Sequence, residues 1–200
     1  MNWKRIGAWC GVLAGLQFVV ITFAIMPFYP GGYSFFENYF SQLGLSETNG
    51  VPTPLNWLMF ALATILGGAL SFPFWLSIRT VFTETTSLRA LSGLGTTLGI
   101  LSCPCLAGIG IFAADLFLVA HALSTILFFV LFAAAVGLYS VCILLSKEYE
   151  NVYALVGVVV CAICLVHILA ILTAAMQKLA VYSIVLYSVF QGYKLLQVFQ

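Results

Sequence analysis

The sequence predicts an all-α polytopic membrane protein: six transmembrane helices, both termini cytoplasmic, and a short amphipathic interfacial helix in the first outer loop. Three observations predict this class. The 200 residues are 63% hydrophobic with a mean hydropathy of +1.13, and only 6% are charged, against about 25% in an average soluble protein. The apolar residues fall into six stretches near the ~20 residues that a helix needs to cross the hydrocarbon core. The positive charges collect in alternate loops. Such a composition excludes a soluble enzyme, a disordered chain and a nucleic-acid binder, and it makes membrane lipids the expected partners.

The stretches cover about 6–26, 54–78, 88–112, 116–145, 152–174 and 179–193, a single six-helix transmembrane domain over 1–200. The third and fourth arrive as one apolar block from Ala90 to Leu145, interrupted by a single formal charge, Asp115. Gly108 and Gly110 precede that charge, so the turn is placed there, with Asp115 capping the next helix. No alternation of period two suggests a membrane β-barrel. The opening Met1-Asn2-Trp3-Lys4-Arg5 and the long apolar run after it read as an uncleaved first span.

Six spans put both termini on one side. Lys4, Arg5, Arg79, Arg89, Lys147 and Lys194 share that side, and only Lys178 lies opposite. The positive-inside rule therefore makes both termini cytoplasmic in a cell (plasma) membrane. Trp3, Trp9 and Trp75 are expected at the inner interface and Trp57 at the outer. The six cysteines all fall inside spans and read as small buried apolar side chains, and Cys103-Pro104-Cys105 marks a kink. Gly7, Gly11 and Gly15 form a tandem GxxxG pattern, and Gly95 with Gly99 forms another. These faces suit close helix packing within the chain or in a homo-oligomer.

The longest loop, from Pro27 to Thr53, carries the most information. Pro27, Pro30, Gly31 and Gly32 stop the first helix. Ser34-Phe35-Phe36-Glu37 then reads as a capping box, and Gly44 as a C-terminal stop. Over 35–43 a helix would set Phe35, Phe36, Tyr39, Phe40 and Leu43 on one face, with Glu37, Asn38, Ser41 and Gln42 on the other. This segment is either a seal with its apolar side down or a cover whose polar face looks into a cavity.

The other clue is polarity inside the spans. His121 and His167 are both placed about 10 Å below the outer surface at 1.5 Å per residue. Asp115, Glu37, Gln177 and Lys178 are expected on that same side, and Gln17 lies midway down the first span. Ionisable groups at such depths are costly and mark sites or pathways. His121, Asp115 and Glu37 are the candidate catalytic groups, with His121 and Asp115 as an acid–base pair and Ser41 as a weaker nucleophile. Asn38, Ser41, Gln42, His167 and Gln17 are the candidate ligand contacts. His121, His167 and Asp115 are the residues that would hold a metal. No HExxH or GxSxG motif is present, and no cofactor is specified.

At Asn38-Tyr39-Phe40-Ser41-Gln42-Leu43-Gly44 the chain resembles the prokaryotic six-span membrane family called domain of unknown function nine-nine-eight. Members show an aromatic-x-Ser-Asp/Gln-Leu-Gly stretch after the first span and an asparagine opening the second, where Asn56 stands here. They also show a Gly-x-Phe-Pro-x-Asp turn before the fourth span. That turn is matched by Gly110-Ile111-Phe112-Ala113-Ala114-Asp115 with His121 following, and with Ala113 in the proline's place. The Frag/DRAM/Sfk group looks like a more distant relative. The resemblance implies the fold and the side of the polar groups and supplies no reaction. The expected function is an outer-leaflet polar pocket that binds or processes a lipid or other amphipathic ligand. The alternatives are a small proton- or solute-coupled transporter and a non-catalytic membrane scaffold subunit.

Overall fold

The structure is a computed structural model and describes residues 2–147 and 149–200. Six helices are long and apolar enough to cross a membrane: α1 (Trp3–Ile25), α2 (Pro54–Arg79), α3 (Thr86–Ile111), α4 (Leu118–Leu145), α5 (Asn151–Leu169) and α6 (Ala174–Val198). Each packs on its neighbour in sequence, and α6 returns to α1, closing a ring. One end of the bundle carries both termini: Ser77 Oγ donates to the Lys4 carbonyl, and the Lys4 ammonium lies over the Phe199 ring. The other, here the loop end, carries the long first loop.

Local chemistry sets the helix limits. Asn2 and Thr85 accept at the starts of α1 and α3 from the Lys4 and Leu88 amides. Thr173 does the same for α6 through Met176 N–H. That cap divides the last apolar stretch at 170–173, so α5 stops at Leu169 and α6 runs from Ala174 to Val198, outside the expected limits at both ends. α3 continues through Pro104, and Asp115 does not cap α4, which begins at Leu118.

The glycine faces close the bundle on itself. A Cβ at Gly7 would meet Ser77 Cβ of α2 at 2.5 Å, one at Gly11 would meet the Phe74 ring at 2.4 Å, and one at Gly15 would meet Val185 of α6 at 3.1 Å. Gly99 lies as tightly on Trp75 and Gly95 on Tyr139. All five are buried, so these faces pack on the chain's own helices.

Between the terminal end and mid-depth the core is densely filled. Trp75, Phe82 and Tyr139 are fully buried, with ring centroids 5.7 Å apart for Trp75–Tyr139 and for Phe82–Tyr139. Trp75, expected at the interface, is therefore a core residue. Lys194 and Glu150 pair at 2.7 Å at this end. The hydrogen bond from Lys194 holds the exposed Glu150 carboxyl below its usual range.

The first loop differs from its expected form. The chain makes a turn at 35–37 and a five-residue 3-10 helix, Phe40–Gly44, instead of a continuous helix over 35–43. Asn38 Oδ1 accepts from Ser34 N–H, and Gln42 Oε1 accepts from Tyr39 N–H at 2.7 Å. These side-chain bonds satisfy backbone groups that an α-helix would use, and nine residues are too few for a helix to resist the competition. Phe40 and Leu43 are buried with Ile25, Tyr29 and Phe60, whereas Phe36 is 73% exposed. The loop ends in a hairpin, Glu47–Thr48 with Val51–Pro52. Asn49 and Gly50 take the two positive φ values of its tight turn, 53° and 78°.

Candidate functional site

The sequence-derived polar set is dispersed among separate backbone duties. Asp115 accepts from Ser46 N–H, from Glu47 N–H and, at 2.5 Å, from Ser46 Oγ, which ties the α3–α4 turn to the hairpin. Desolvation pushes the Asp115 carboxyl up, but the hydrogen bonds from Ser46 and Glu47 outweigh it and hold the group below the ordinary carboxylate range. His121 Nδ1 stands 2.9 Å from the Phe112 carbonyl, just past α3. His167 Nδ1 stands 3.3 Å from the Ile171 carbonyl, just past α5. A carbonyl only accepts, so in both rings Nδ1 carries the hydrogen and the histidine closes a helix end. His167 also rests edge-on against Phe129, with centroids 5.0 Å apart. Among the described residues no three His, Cys, Asp or Glu side chains come together as a metal site would need, so His121, His167 and Asp115 are not gathered into one.

Gln17 ties helices together, its Nε2 donating to Ala14 of α1 and to Ala63 of α2. Asn38 and Gln42 stabilise the loop, and Glu37 is exposed. Ser41 alone of the expected set lines the central cavity.

That cavity occupies the loop-end half of the bundle and offers about 80 Å³ to the centre of a water-sized sphere. Phe18 of α1, Phe60 of α2, Leu106 of α3, Phe128 and Phe132 of α4, and Val181 of α6 wall it. Deeper hydroxyls on the wall are internally satisfied: Ser71, Ser102 and Thr125 donate to carbonyls of their own helices. At the loop end the roof is Phe40 and Ser41, with Gln177 of α6 beside them.

Sequence reasoning places Gln177 and Lys178 at this end but not among the candidate site residues, and they form the centre of this region. Gln177 Oε1 accepts from Phe40 N–H at 2.8 Å. Lys178 Nζ donates to the Asn38 carbonyl and lies 5.4, 5.2 and 5.0 Å from the ring centroids of Tyr33, Phe35 and Phe40. Such an ammonium over aromatic faces is a favourable cation–π arrangement. Tyr33 Oη donates to the same Asn38 carbonyl at 3.2 Å, and Tyr182 stacks on Phe35. Burial, with Tyr182 and Tyr29 adding to it, pushes the Tyr33 phenol up, so it stays neutral. The available signal was Lys178 itself, the single positive charge on the wrong side of the positive-inside count.

Six apolar helices closed into a ring define a polytopic membrane protein. The chain belongs to the family described as protein of unknown function (DUF998), which matches residues 12–192. No curated protein and no solved structure matches it.

Proposed function

We propose that the protein binds a membrane amphiphile, receiving one hydrocarbon chain in the central cavity with the polar head at the loop end. In this reading the loop end faces outward in a plasma membrane and both termini are cytoplasmic, as the six-to-one distribution of positive charge supports. The observation that carries the reading is the cavity's division into an apolar shaft and a polar roof. Each buried water needs two to four polar partners, and the shaft's hydroxyls are already donating to their own helices. Hydrocarbon is therefore the better occupant. The packed layer of Trp75, Phe82 and Tyr139 beneath it supports a closed-ended pocket over a continuous path across the membrane.

A dodecyl chain carrying a terminal diazirine tests this in purified protein. Photolysis is expected to label cavity residues such as Phe128 and Leu106. Val181→Phe, which adds a ring to the wall, is expected to reduce that labelling by about tenfold. Equal labelling in the variant, or labelling confined to lipid-facing positions such as Leu155, would overturn the reading.

A further inference from the structure

We infer that the head of the bound amphiphile is an anionic oxygen group, a carboxylate or a phosphate, and that Lys178 is its counter-charge. This rests on the proposal that a chain occupies the cavity, and it adds the chemistry of the head.

Lys178 is 3% exposed, yet no carboxylate pairs with it among the described residues; the Lys194–Glu150 ion pair is at the opposite end. The acids of the loop end are otherwise placed. Asp115 is held by Ser46 and Glu47, and Glu37 and Glu47 are exposed. An ammonium has three donors. One goes to the Asn38 carbonyl, and the other two have no acceptor among the described residues. A buried charge without a counter-ion is costly. Its position adds to that cost: Lys178 is the fifth residue of α6, near a helix end that is itself positive, and the first turn holds no acid.

A second observation points the same way. Gln177 and Ser41 line the cavity's roof, and neither Gln177 Nε2 nor Ser41 Oγ has a hydrogen-bond partner among the described residues. Lys178 is not itself on the cavity wall; it adjoins the roof through Phe40, whose ring centroid lies 5.0 Å from its Nζ. Gln177 is 9% exposed, and the bond from Phe40 N–H to its Oε1 holds the amide in place. Tyr182 Oη, one turn beyond Lys178 on α6, is buried and without a partner. These groups supply donors and positive charge around Phe40 with no matching acceptor. Carboxylate or phosphate oxygens would accept from them, and such charge-assisted bonds are the stronger kind. A cationic head would meet the ammonium at close range, and a neutral alcohol would leave the charge uncompensated.

Competition against the diazirine probe reads this directly. The competitors share one chain: dodecanoate, dodecyl phosphate, dodecanol and dodecyltrimethylammonium. Dodecanoate, dodecyl phosphate or both should compete about tenfold better than dodecanol, and the tighter of the two identifies the head. The trimethylammonium compound should be weakest. Lys178→Met should bring the anionic competitors level with dodecanol, and Lys178→Arg should retain the preference. The wild-type ranking stands even if Lys178→Met does not fold, and Ser41→Ala, a milder change at the roof, should narrow the gap. If dodecanol competes as well as the anions in wild type, the head assignment is wrong while the cavity reading survives. If the probe never labels the cavity, both fail.

Discussion

Asp115 shows how a single carboxylate can organise a loop. Its oxygens collect the amides of Ser46 and Glu47 and the Ser46 hydroxyl. Asp115→Asn removes the charge that makes these bonds strong. Hydrogen exchange at the Ser46 and Glu47 amides is expected to rise by about tenfold, with amides deep in α4 unchanged. The same contact is acid-sensitive in a defined direction. An unperturbed aspartate titrates near 3.9, and the folded carboxyl lies lower. Its contribution is therefore complete above about pH 5 and is lost as pH falls through the folded value. The protection factors of the two amides, each the intrinsic rate over the observed exchange rate at that pH, should fall only in that acid range when followed from pH 6 downward. A loop that loosened on moving toward alkaline pH would contradict the assignment. His121 and His167 teach a related lesson: each is buried near the loop end and each faces a helix-terminal carbonyl. α4 starts at Leu118 and α5 stops at Leu169, so each histidine stands within a turn of its helix end and not the expected ~10 Å in. Their type and their loop-end placement were legible in the sequence. Their partners were not, because a backbone carbonyl has no sequence signature.

At the level of elements, hydrophobic run length and capping residues were sufficient to place the spans, and the misplacements have local causes. Thr173 is an ordinary-looking residue inside an apolar stretch, and its cap on Met176 becomes visible only once α5 and α6 turn against each other. The expected helix over 35–43 failed for a different reason. Its period-3.6 pattern is real, but Gln177 and Lys178 take a backbone N–H and a carbonyl from the segment across more than 130 residues of chain. Tertiary bonding overrode a weak local propensity. The glycine pattern was more readable, because GxxxG spacing reports close approach whichever helix is the neighbour. Gly99→Ala would set a Cβ 2.4 Å from the Trp75 ring. Overpacking of this kind costs about 1–3 kcal/mol, so the apparent melting temperature in detergent should fall by several degrees. Gly137→Ala, whose Cβ would stand 3.6 Å from Cys161 Sγ, should leave it nearly unchanged. Equal effects of the two substitutions would contradict this packing.

For the molecule as a whole, the proposed orientation turns on seven positive charges, and it can be read without any knowledge of ligand. Asn49 is exposed at the hairpin tip and Thr85 lies at the start of α3 near the opposite end. In a background with the six native cysteines replaced, Asn49→Cys should react with a membrane-impermeant maleimide added to intact cells, and Thr85→Cys should react only after lysis. The reverse pattern would invert the topology. The ring closure has a consequence for biosynthesis. α1 is made first, yet its packing at Gly15 and at Ala8 is against Val185 and Gly192 of α6. About 150 residues must be translated in between, on the order of ten seconds at ribosomal rates. During that interval the flank of α1 faces lipid or an insertion chaperone. The helix that finally covers it also carries Gln177 and Lys178, so the arrival of α6 seals the barrel of helices and seats the first loop in one event. A nascent chain truncated before α6 would present an uncovered glycine flank and a loose first loop together, two marks by which membrane quality control can distinguish it from the finished protein.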